Sequence, residues 1–515
     1  MTNKIALLFI HDFSDRDTEK FYLVSEDSIT EATADEVVGQ EKELICHDYW
    51  LIASALYRKT NKLPKLVTDV EELRISTSGH REDRENRDKK DVCSELLARE
   101  YISEEDIGRY RNILFKNGAF DIDVFSCVGH SLLRLSDDIE EQAKNADEWG
   151  RYSTIERPVA EYLLRSVAKG IAVNTEILRE HKQNIEHAYY MALKEFSAEY
   201  KLPLEVPSDD EVIDYLTPKG FDFSGVGVEY VLNFVPMPDG FSDKLLELRK
   251  IATSRMVLNA IPLSQKRIFP IVDAFGSITS RIYYKDPSLQ NLSKRHRNIL
   301  SPDEGMALSY VDFGQFEAGI MGALSQDETM LELFSTGDLY ALVAEKIFLD
   351  VAKRKEAKRL FLSYAYGMKR KSLIDAAVGF GAERDSAKNF FNQFSRFEQW
   401  KSEIWSEFHT NGRIGTVFGN HLSRAVSGEL SEKERRSAVS QAVQGTASLI
   451  FKKALLKLSC LTDIDLKLPM HDAVLFQHPQ RFNPQKVADV FAEVVTEHFD
   501  GRIEGKASVA DFFIT

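Results

Sequence analysis

The sequence predicts a multidomain α/β chain, and three observations carry that prediction. Its 515 residues suffice for about three domains, at roughly 100–200 residues each. Short β-rich runs mix with helical stretches at both ends, while long amphipathic helices fill the middle. The charge is also partitioned. Residues 1–150 carry 20 Lys+Arg and 33 Asp+Glu, against 46 and 48 in the rest, so nearly all of the formal −15 belongs to the first third. A hydrophobic fraction of 43% and a charged fraction of 29% exclude disordered, collagen-like and rod-like chains. No apolar run reaches the ~18–20 residues of a membrane span. The opening Met1–Ile10 lacks the features of a secretory signal and reads as a first strand. Cys46, Cys93, Cys127 and Cys460 are too scattered for a metal knuckle or a disulfide framework, and a reducing cytoplasm is the expected setting.

The elements follow in order. Residues 1–75 alternate β-rich runs (IALLFI, FYLVS, KLVTDV) with a helix near Tyr49–Tyr57. Residues 77–92, polar and mixed in charge, read as an exposed loop. Helical periodicity resumes at Ser94 and runs, interrupted, to Trp149. Ile155, Val159, Leu163 and Val167 then repeat every four residues, and a second helix spans Asn174 to about Tyr200. Residues 244–258 form another helix. After Pro262 the texture changes, and 268–315 reads as extended segments joined by Pro and Gly turns. Helices dominate 326–410, a hairpin pattern occupies 412–424, and a long helix spans Ser431–Leu458 before a closing α/β segment. No internal repeat is present.

Three segments carry chemistry. In Met306–Glu317 an alternating strand ends at Asp312 before a Gly-containing turn and a helix. In Leu466–Phe476 two apolar runs flank His471-Asp472, a hairpin with Asp472 at its turn. Two carboxylates brought together by strand pairing suit Mg²⁺, which takes one or two carboxylates plus substrate phosphates. Either aspartate alone reads equally well as a turn or cap residue. In Arg354–Gly367, the residues Arg354, Lys358, Leu362 and Tyr366 recur every four positions and form one helical stripe. The stripe is about 18 Å long at 1.5 Å per residue. Its order, two cations then an apolar residue and a ring, matches the phosphates, sugar and base of a nucleoside triphosphate. An amphipathic helix with a core Leu and Tyr would give the same stripe. Residues 353–371 hold eight Lys/Arg against the single acid Glu356.

In this order these segments resemble the family A DNA polymerases. Asp312-Phe-Gly-Gln-Phe-Glu317 is similar to the family's usual Asp-Tyr-Ser-Gln-Ile-Glu, and Arg354-(x)3-Lys358-(x)7-Tyr366-Gly367 to its fingers helix. His471-Asp472 resembles its His-Asp-Glu, and Val443-Gln444-Gly445-Thr446-Ala447 matches its helix segment. Thr279-Ser-Arg281 with Asp286–Asn291 resembles the segment that contacts primer and template, and Ile155–Pro158 with Gly170–Val173 resembles the start of the thumb.

The resemblance implies a right-hand polymerase with an antiparallel palm sheet and helical fingers and thumb, preceded by a small exonuclease-like (RNase H-like) α/β domain. The implied regions are 1–150 exonuclease-like, 151–260 thumb and approach to the palm, 261–325 palm with the first motif, 326–430 fingers and 431–515 palm with the second aspartate. It implies template-directed addition of deoxynucleotides to a primer 3′-OH with two Mg²⁺ ions, Mn²⁺ being an alternative metal. Asp312 and Asp472 would be the catalytic, metal-binding carboxylates. Arg354, Lys358, Leu362, Tyr366, Gln315 and Glu317 would bind the nucleotide, Glu317 by occupying the place of a ribose 2′-OH. Arg281, Gln290, Asn291, Gln444, Arg436 and His471 would contact DNA, several of them through minor-groove acceptors shared by every base pair. The implied partners are primer-template DNA and dNTPs, with no membrane.

Several positions depart from the pattern. Ala473 replaces a glutamate, Leu362 replaces Phe or Tyr, Phe313-Gly314 replaces Tyr-Ser, and Asn420-His421-Leu422 replaces an arginine run. In the first third, Asp12 lacks the glutamate two residues later that an exonuclease motif requires. His47-Asp48, Thr68-Asp69, Asp121 and Asp123 are the remaining acid candidates. The expectation is a degenerate exonuclease-like domain that no longer holds metal and offers an acidic surface to a replication accessory protein. Compact length and no obvious 5′-nuclease domain point to a phage or mobile-element enzyme in a bacterial or phage-infected cytoplasm. Two competing expectations are a single-subunit phage-type RNA polymerase and a catalytically impaired DNA-binding replication scaffold.

Overall fold

The computed structural model describes all residues except 1–2, 13–17, 115–117, 222, 224–226, 236, 238 and 515. The chain divides into two compact units: Met1–Gly170 with Ile271–Lys285 and Glu403–Phe476, and Ile171–Pro270 with Asp286–Ser402 and Gln477–Thr515.

In the first unit five strands form a sheet in the order Ile29–Ala32, Lys20–Val24, Lys4–Ile10, Glu43–Cys46, Val67–Asp69. The first two pairings are antiparallel and the last two parallel. Lys4–Ile10 is central and buried on both faces, which is why it reads as a continuous apolar run rather than an alternating one. Helix Ile122–Asn145 lays Val124, Phe125, Val128, Leu132 and Leu135 against Leu8, Tyr22 and Val24 of the sheet. A Cβ on Gly129 would lie 2.6 Å from Val24 Cβ, so only glycine permits this approach.

Residues 77–92 are not the loop that their polarity suggests. They form helix Arg81–Glu85 and the 3-10 turn Arg87–Lys89. Arg84 and Arg87 turn inward onto Asp273, which is 3% exposed, at 2.6 and 3.2 Å. Ion pairs replace apolar packing here, so hydrophobic periodicity carries no signal. The same unit contains the pair Ile271–Asp273 and Tyr283–Lys285, the hairpin Arg413–Thr416 and Gly419–Ser423, and the 28-residue helix Glu432–Ser459. A Cβ on Gly445 of that helix would come within 3.1 Å of Thr416 and 3.3 Å of Asn420, so this glycine lets the hairpin lie close.

The second unit packs helices Thr175–Tyr200 and Phe241–Asn259 around Leu193, Phe196, Tyr200, Phe241 and Leu245. Leu300–Ser301, Ile171–Val173 and Arg267–Ile268 make a small sheet. The stretch read as extended from 268 to 315 is only partly so, because Leu289–Asn291 and Lys294–Ile299 are 3-10 turns. Strand Met306–Phe313 pairs antiparallel with Ala507–Ala510, and short helices fill Phe316 to Phe391. Among the described residues no helix is long and apolar enough to cross a membrane.

Candidate active site

In the second unit Asp312 stands next to last in its strand, opposite Ser508, between buried Val311 and Phe313. Phe313 stacks on Phe316 at 4.0 Å and lies 4.6 Å from Phe491, which accounts for an apolar ring where the motif usually has Tyr. Gly314 donates its N–H to the Lys506 carbonyl at 2.7 Å, and a Cβ there would be 3.0 Å from Lys506 Cβ, so the smallest residue suits this turn. Gln315 adopts the left-handed conformation, φ 54°, and opens helix Phe316–Ser325. Its amide nitrogen donates to the Gly337 carbonyl at 3.0 Å, and its amide oxygen accepts from Leu339 N–H at 2.8 Å. This side chain, expected at the nucleotide, fastens the strand-to-helix turn to the loop at 337–339.

Helix Arg354–Ala365 buries Ala357, Leu360, Phe361, Tyr364 and Ala365. The stripe lies on the other side: Arg354 and Lys358 are exposed, and Leu362 and Tyr366 are partly exposed. Leu362 and Tyr366 are therefore not the buried face of an ordinary amphipathic helix. Tyr366 closes the helix, its N–H bonding to the Leu362 carbonyl at 3.0 Å, and its hydroxyl donates to the Glu317 carboxylate at 2.7 Å. Arg354 Nε donates to Asp338 at 2.7 Å. Burial works to raise the Asp338 pKa, but the Arg354 bond and the Ala341 N–H outweigh it and hold the carboxyl below its usual value. Gln290 is buried and Asn291 exposed in their 3-10 turn, with Asn291 donating to Ser288 Oγ at 2.9 Å.

The first unit places Arg436 on the exposed face of helix Glu432–Ser459 and Gln444 partly buried two turns on. His471 and Asp472 form the exposed turn between strands Asp465–Met470 and Ala473–Pro479. His471 has φ 54° and lies edge-on to Tyr283 at 6.4 Å. Desolvation, then the charge of Arg281, lowers its pKa, so the ring is neutral near pH 7. Ala473 is completely buried, so the position where the family pattern has a glutamate faces the interior. The Asn420-His421 departure has a partner of its own. Buried Glu148 accepts from both backbone N–H groups and the His421 ring, each at 2.8 Å.

A buried polar network behind Arg281 has no signature in the sequence. Lys452, 1% exposed, donates to Glu156, to Ser280 Oγ at 2.5 Å and to the Ala274 carbonyl at 2.8 Å. Arg151 also pairs with Glu156. The network holds Ser280 in the left-handed conformation, φ 63°, directly before Arg281. Lys452 sits within an otherwise helical Phe-Lys-Lys-Ala-Leu run, and nothing local distinguishes it from a solvated lysine.

The acids of the first third have structural duties. Asp69 caps helix Val70–Thr77 and accepts from Tyr49 N–H, Asp121 caps Ile122–Asn145, and Asp48 pairs with His47 at 2.9 Å. Asp12 accepts from Thr18 at 2.5 Å, and Ser14, where the second motif acid would stand, lies outside the described residues. Among the described residues no group of three or more His, Cys, Asp or Glu is arranged to hold a metal ion. A cavity of 490 Å³ in this unit is lined by Asp69, Glu71, Glu72, Arg87 and Asp273 among others.

Comparison with known proteins bears on the whole arrangement. The chain is 25% identical over 350 residues to DNA polymerase I of Aquifex aeolicus, covering 61% of this chain and 57% of the relative. It is 23% identical over 403 residues to the thermostable DNA polymerase I of Thermus thermophilus, covering 70% and 48%. It thus spans about half the length of the curated relatives it matches. The POL domain of Pol1 from M. smegmatis, solved in complex with DNA primer-template and dNTP, superposes with a TM-score of 0.75 over 98% of this chain and 94% of that one. At 19% identity that likeness shows the fold, the right-hand polymerase. The family described as DNA polymerase family A matches residues 231–509, more than half the chain and a span that contains Asp312, Glu317, Arg354, Lys358, Tyr366 and Asp472. The chain belongs to DNA polymerase family A.

Proposed function

We propose that the chain is a template-directed DNA polymerase that adds deoxynucleotides to a primer 3′-OH. The observation that carries this reading is the face of helix Arg354–Ala365, with exposed Arg354 and Lys358 at one end and Tyr366 bonded to Glu317 at the other. Family membership and the resemblance to polymerase I relatives support it. The five-region division and the residue roles inferred from the sequence are part of the same proposal.

Asp312 and Asp472 would hold two Mg²⁺ ions. They offer oxygen donors only, partly exposed on a strand and exposed on a turn, which is the donor chemistry Mg²⁺ prefers. When bound, the ions would acidify the primer hydroxyl and neutralise the departing pyrophosphate. The protein's own contribution is positioning. Arg354 and Lys358 bind the triphosphate as fixed cations. The Tyr366 ring meets the incoming base, and the Glu317 carboxylate, held by Tyr366, fills the space a 2′-OH would need. Arg281 and Gln444 hold the duplex through acceptors common to all base pairs. The Glu317–Tyr366 contact also favours this reading over an RNA polymerase.

Primer extension on a primed template, with dNTPs and rNTPs in parallel, tests the proposal. Wild type extends with dNTPs, and Asp312→Ala abolishes extension. Full activity in Asp312→Ala overturns the assignment, and a preference for rNTPs replaces it with the RNA polymerase reading.

A further inference from the structure

Arg354 is the first residue of its helix, where the backbone dipole already presents partial positive charge. A guanidinium there is unfavourable unless something anionic lies nearby. Asp338 supplies the charge, and the way it does so is specific. It accepts from Nε at 2.7 Å, the inner edge of the guanidinium. A guanidinium held through Nε keeps its outer edge, between the two terminal nitrogens, as a fork that can grip a phosphate. Asp338 also caps helix Leu339–Phe348 by accepting from Ala341 N–H at 3.0 Å, so its own position is fixed.

Two residues on, Tyr340 is 4% exposed. Arg354 Cζ lies 5.6 Å and Lys358 Nζ 5.4 Å from its ring centroid. Both are within cation–π range, so one ring holds two cations a helical turn apart. Phe361 packs edge-on against the same ring at 6.1 Å and fixes its plane. The loop that carries Asp338 is fastened by Gln315 through Gly337 and Leu339. A continuous set of contacts therefore runs from the turn after Asp312 to the guanidinium of Arg354, all inside one unit.

We propose that Asp338 and Tyr340 are positioning residues that pre-set Arg354 and Lys358 to receive the triphosphate of the incoming nucleotide. This rests on the polymerase reading above. Without the two residues both cations keep their charge but lose their common direction, and the entropy of fixing two long side chains falls on the binding step. The effect belongs in nucleotide affinity rather than in the chemical step.

The test is steady-state primer extension over a dNTP titration, together with calorimetric binding of inorganic tripolyphosphate to the full chain. Asp338→Asn retains a capping side chain and removes only the charge. It raises KM for dNTP about fivefold to tenfold and leaves kcat within about twofold. Tyr340→Leu does the same, whereas Tyr340→Phe keeps the ring and keeps KM. The tripolyphosphate Kd rises in parallel with KM. The proposal is overturned if Asp338→Asn and Tyr340→Leu leave both KM and Kd unchanged while Arg354→Ala raises them. It is also overturned if kcat and Tm fall with KM constant, the mark of a purely structural role. Should Tyr340→Leu fail to fold, Asp338→Asn and Tyr340→Phe still decide. A wild type that extends no primer refutes the polymerase reading instead, and the tripolyphosphate titration still reads the positioning effect.

Discussion

Lys452→Met probes the most deeply buried charge of the first unit. Burial pulls the Lys452 pKa down, against the opposing charge of Glu156. Burial alone would raise the Glu156 pKa, but Lys452 and then Arg151 hold it below the usual carboxylate range. Methionine matches the lysine stem in shape and removes the ammonium. Deleting one partner of a buried pair costs about 3–5 kcal/mol, because the other charge stays behind without compensation. Arg151 still pairs with Glu156, which places the loss at the low end. The Ser280 hydroxyl and Ala274 carbonyl each lose a donor, but Ser280 keeps its bond to Glu156, so together they add at most about 1 kcal/mol. The net expectation is about 3–4 kcal/mol. At about 2–4 °C per kcal/mol for a unit of this size, Tm falls by roughly 6–16 °C. Scanning calorimetry of the full chain reads the shift directly, without assuming that the whole chain unfolds in one step. In Lys452→Met/Glu156→Gln both opposing charges are gone, and the double variant loses less than the sum of its singles by about 1 kcal/mol or more. A Tm within about 1 °C of wild type, or strict additivity, refutes the reasoning. The network also fixes Ser280 beside Arg281, so Lys452→Met weakens primer-template binding while leaving tripolyphosphate binding unchanged.

Three further outcomes are expected. Glu317→Ala removes the acceptor of the Tyr366 hydroxyl and the group proposed to occupy the 2′-OH position, so rNTP incorporation relative to dNTP rises about tenfold or more in single-nucleotide assays; an unchanged ratio removes Glu317 from sugar selection. Glu71 is pushed up to about 7, by burial first and then by Asp69 and Asp48. With a folded pKa above the ordinary carboxylate value, the folded state binds more protons than the unfolded one, so stability is lost as pH rises through about 7. Tm at pH 8 is lower than at pH 6.5 by on the order of 2 °C. Glu71→Gln flattens that slope, and a Tm that rises over the same interval contradicts the pKa assignment. A 3′-mismatched primer incubated without nucleotides stays intact with wild type and with Asp12→Ala; degradation that Asp12→Ala abolishes would make the first third a working exonuclease.

The sequence made local patterns legible and left long-range ones unread. Helix periodicity located Thr175–Tyr200, Phe241–Asn259 and Glu432–Ser459, because a buried face repeats within a few residues. The strand-turn pattern put Asp312 and Asp472 where they stand, and the four-residue stripe put Arg354, Lys358 and Tyr366 on one face. Pairings across hundreds of residues have no such repeat. Lys452 meets Glu156 across 296 residues, and Arg84 meets Asp273 across 189. Each is one ordinary charged residue until the fold brings its partner. Asp338 joins a local contact to a distant one: it caps the helix that follows it, but its second contact, to Arg354, depends on how two helices pack.

The cationic run at 353–371 makes the same distinction within one helix pair. Eight positive charges suggest a broad phosphate-binding surface, yet several already have partners within the protein. Arg359 donates to the Asn233 carbonyl at 2.8 Å and lies over the rings of Phe234 and Phe380 at 5.8 and 5.7 Å. Arg370 bonds to Asn392 and lies over Tyr364 and Phe391. Lys353 faces Glu356 at 3.7 Å. Charge density along the sequence therefore overstates the surface available to an anion, and the neighbours of each side chain decide its role. Arg359 and Lys358 are adjacent, equally charged and opposite in expectation. Arg359→Gln leaves a carbonyl without its donor and two rings without their cation, so it lowers Tm by several degrees and moves KM for dNTP less than about twofold. Lys358→Gln raises KM more than about tenfold and moves Tm by less than about 2 °C, since it removes the charge proposed to meet phosphate and only one ring contact. The reverse pattern would move the phosphate surface to the other side of the helix, and the stripe from Arg354 to Tyr366 would lose its meaning as a nucleotide track.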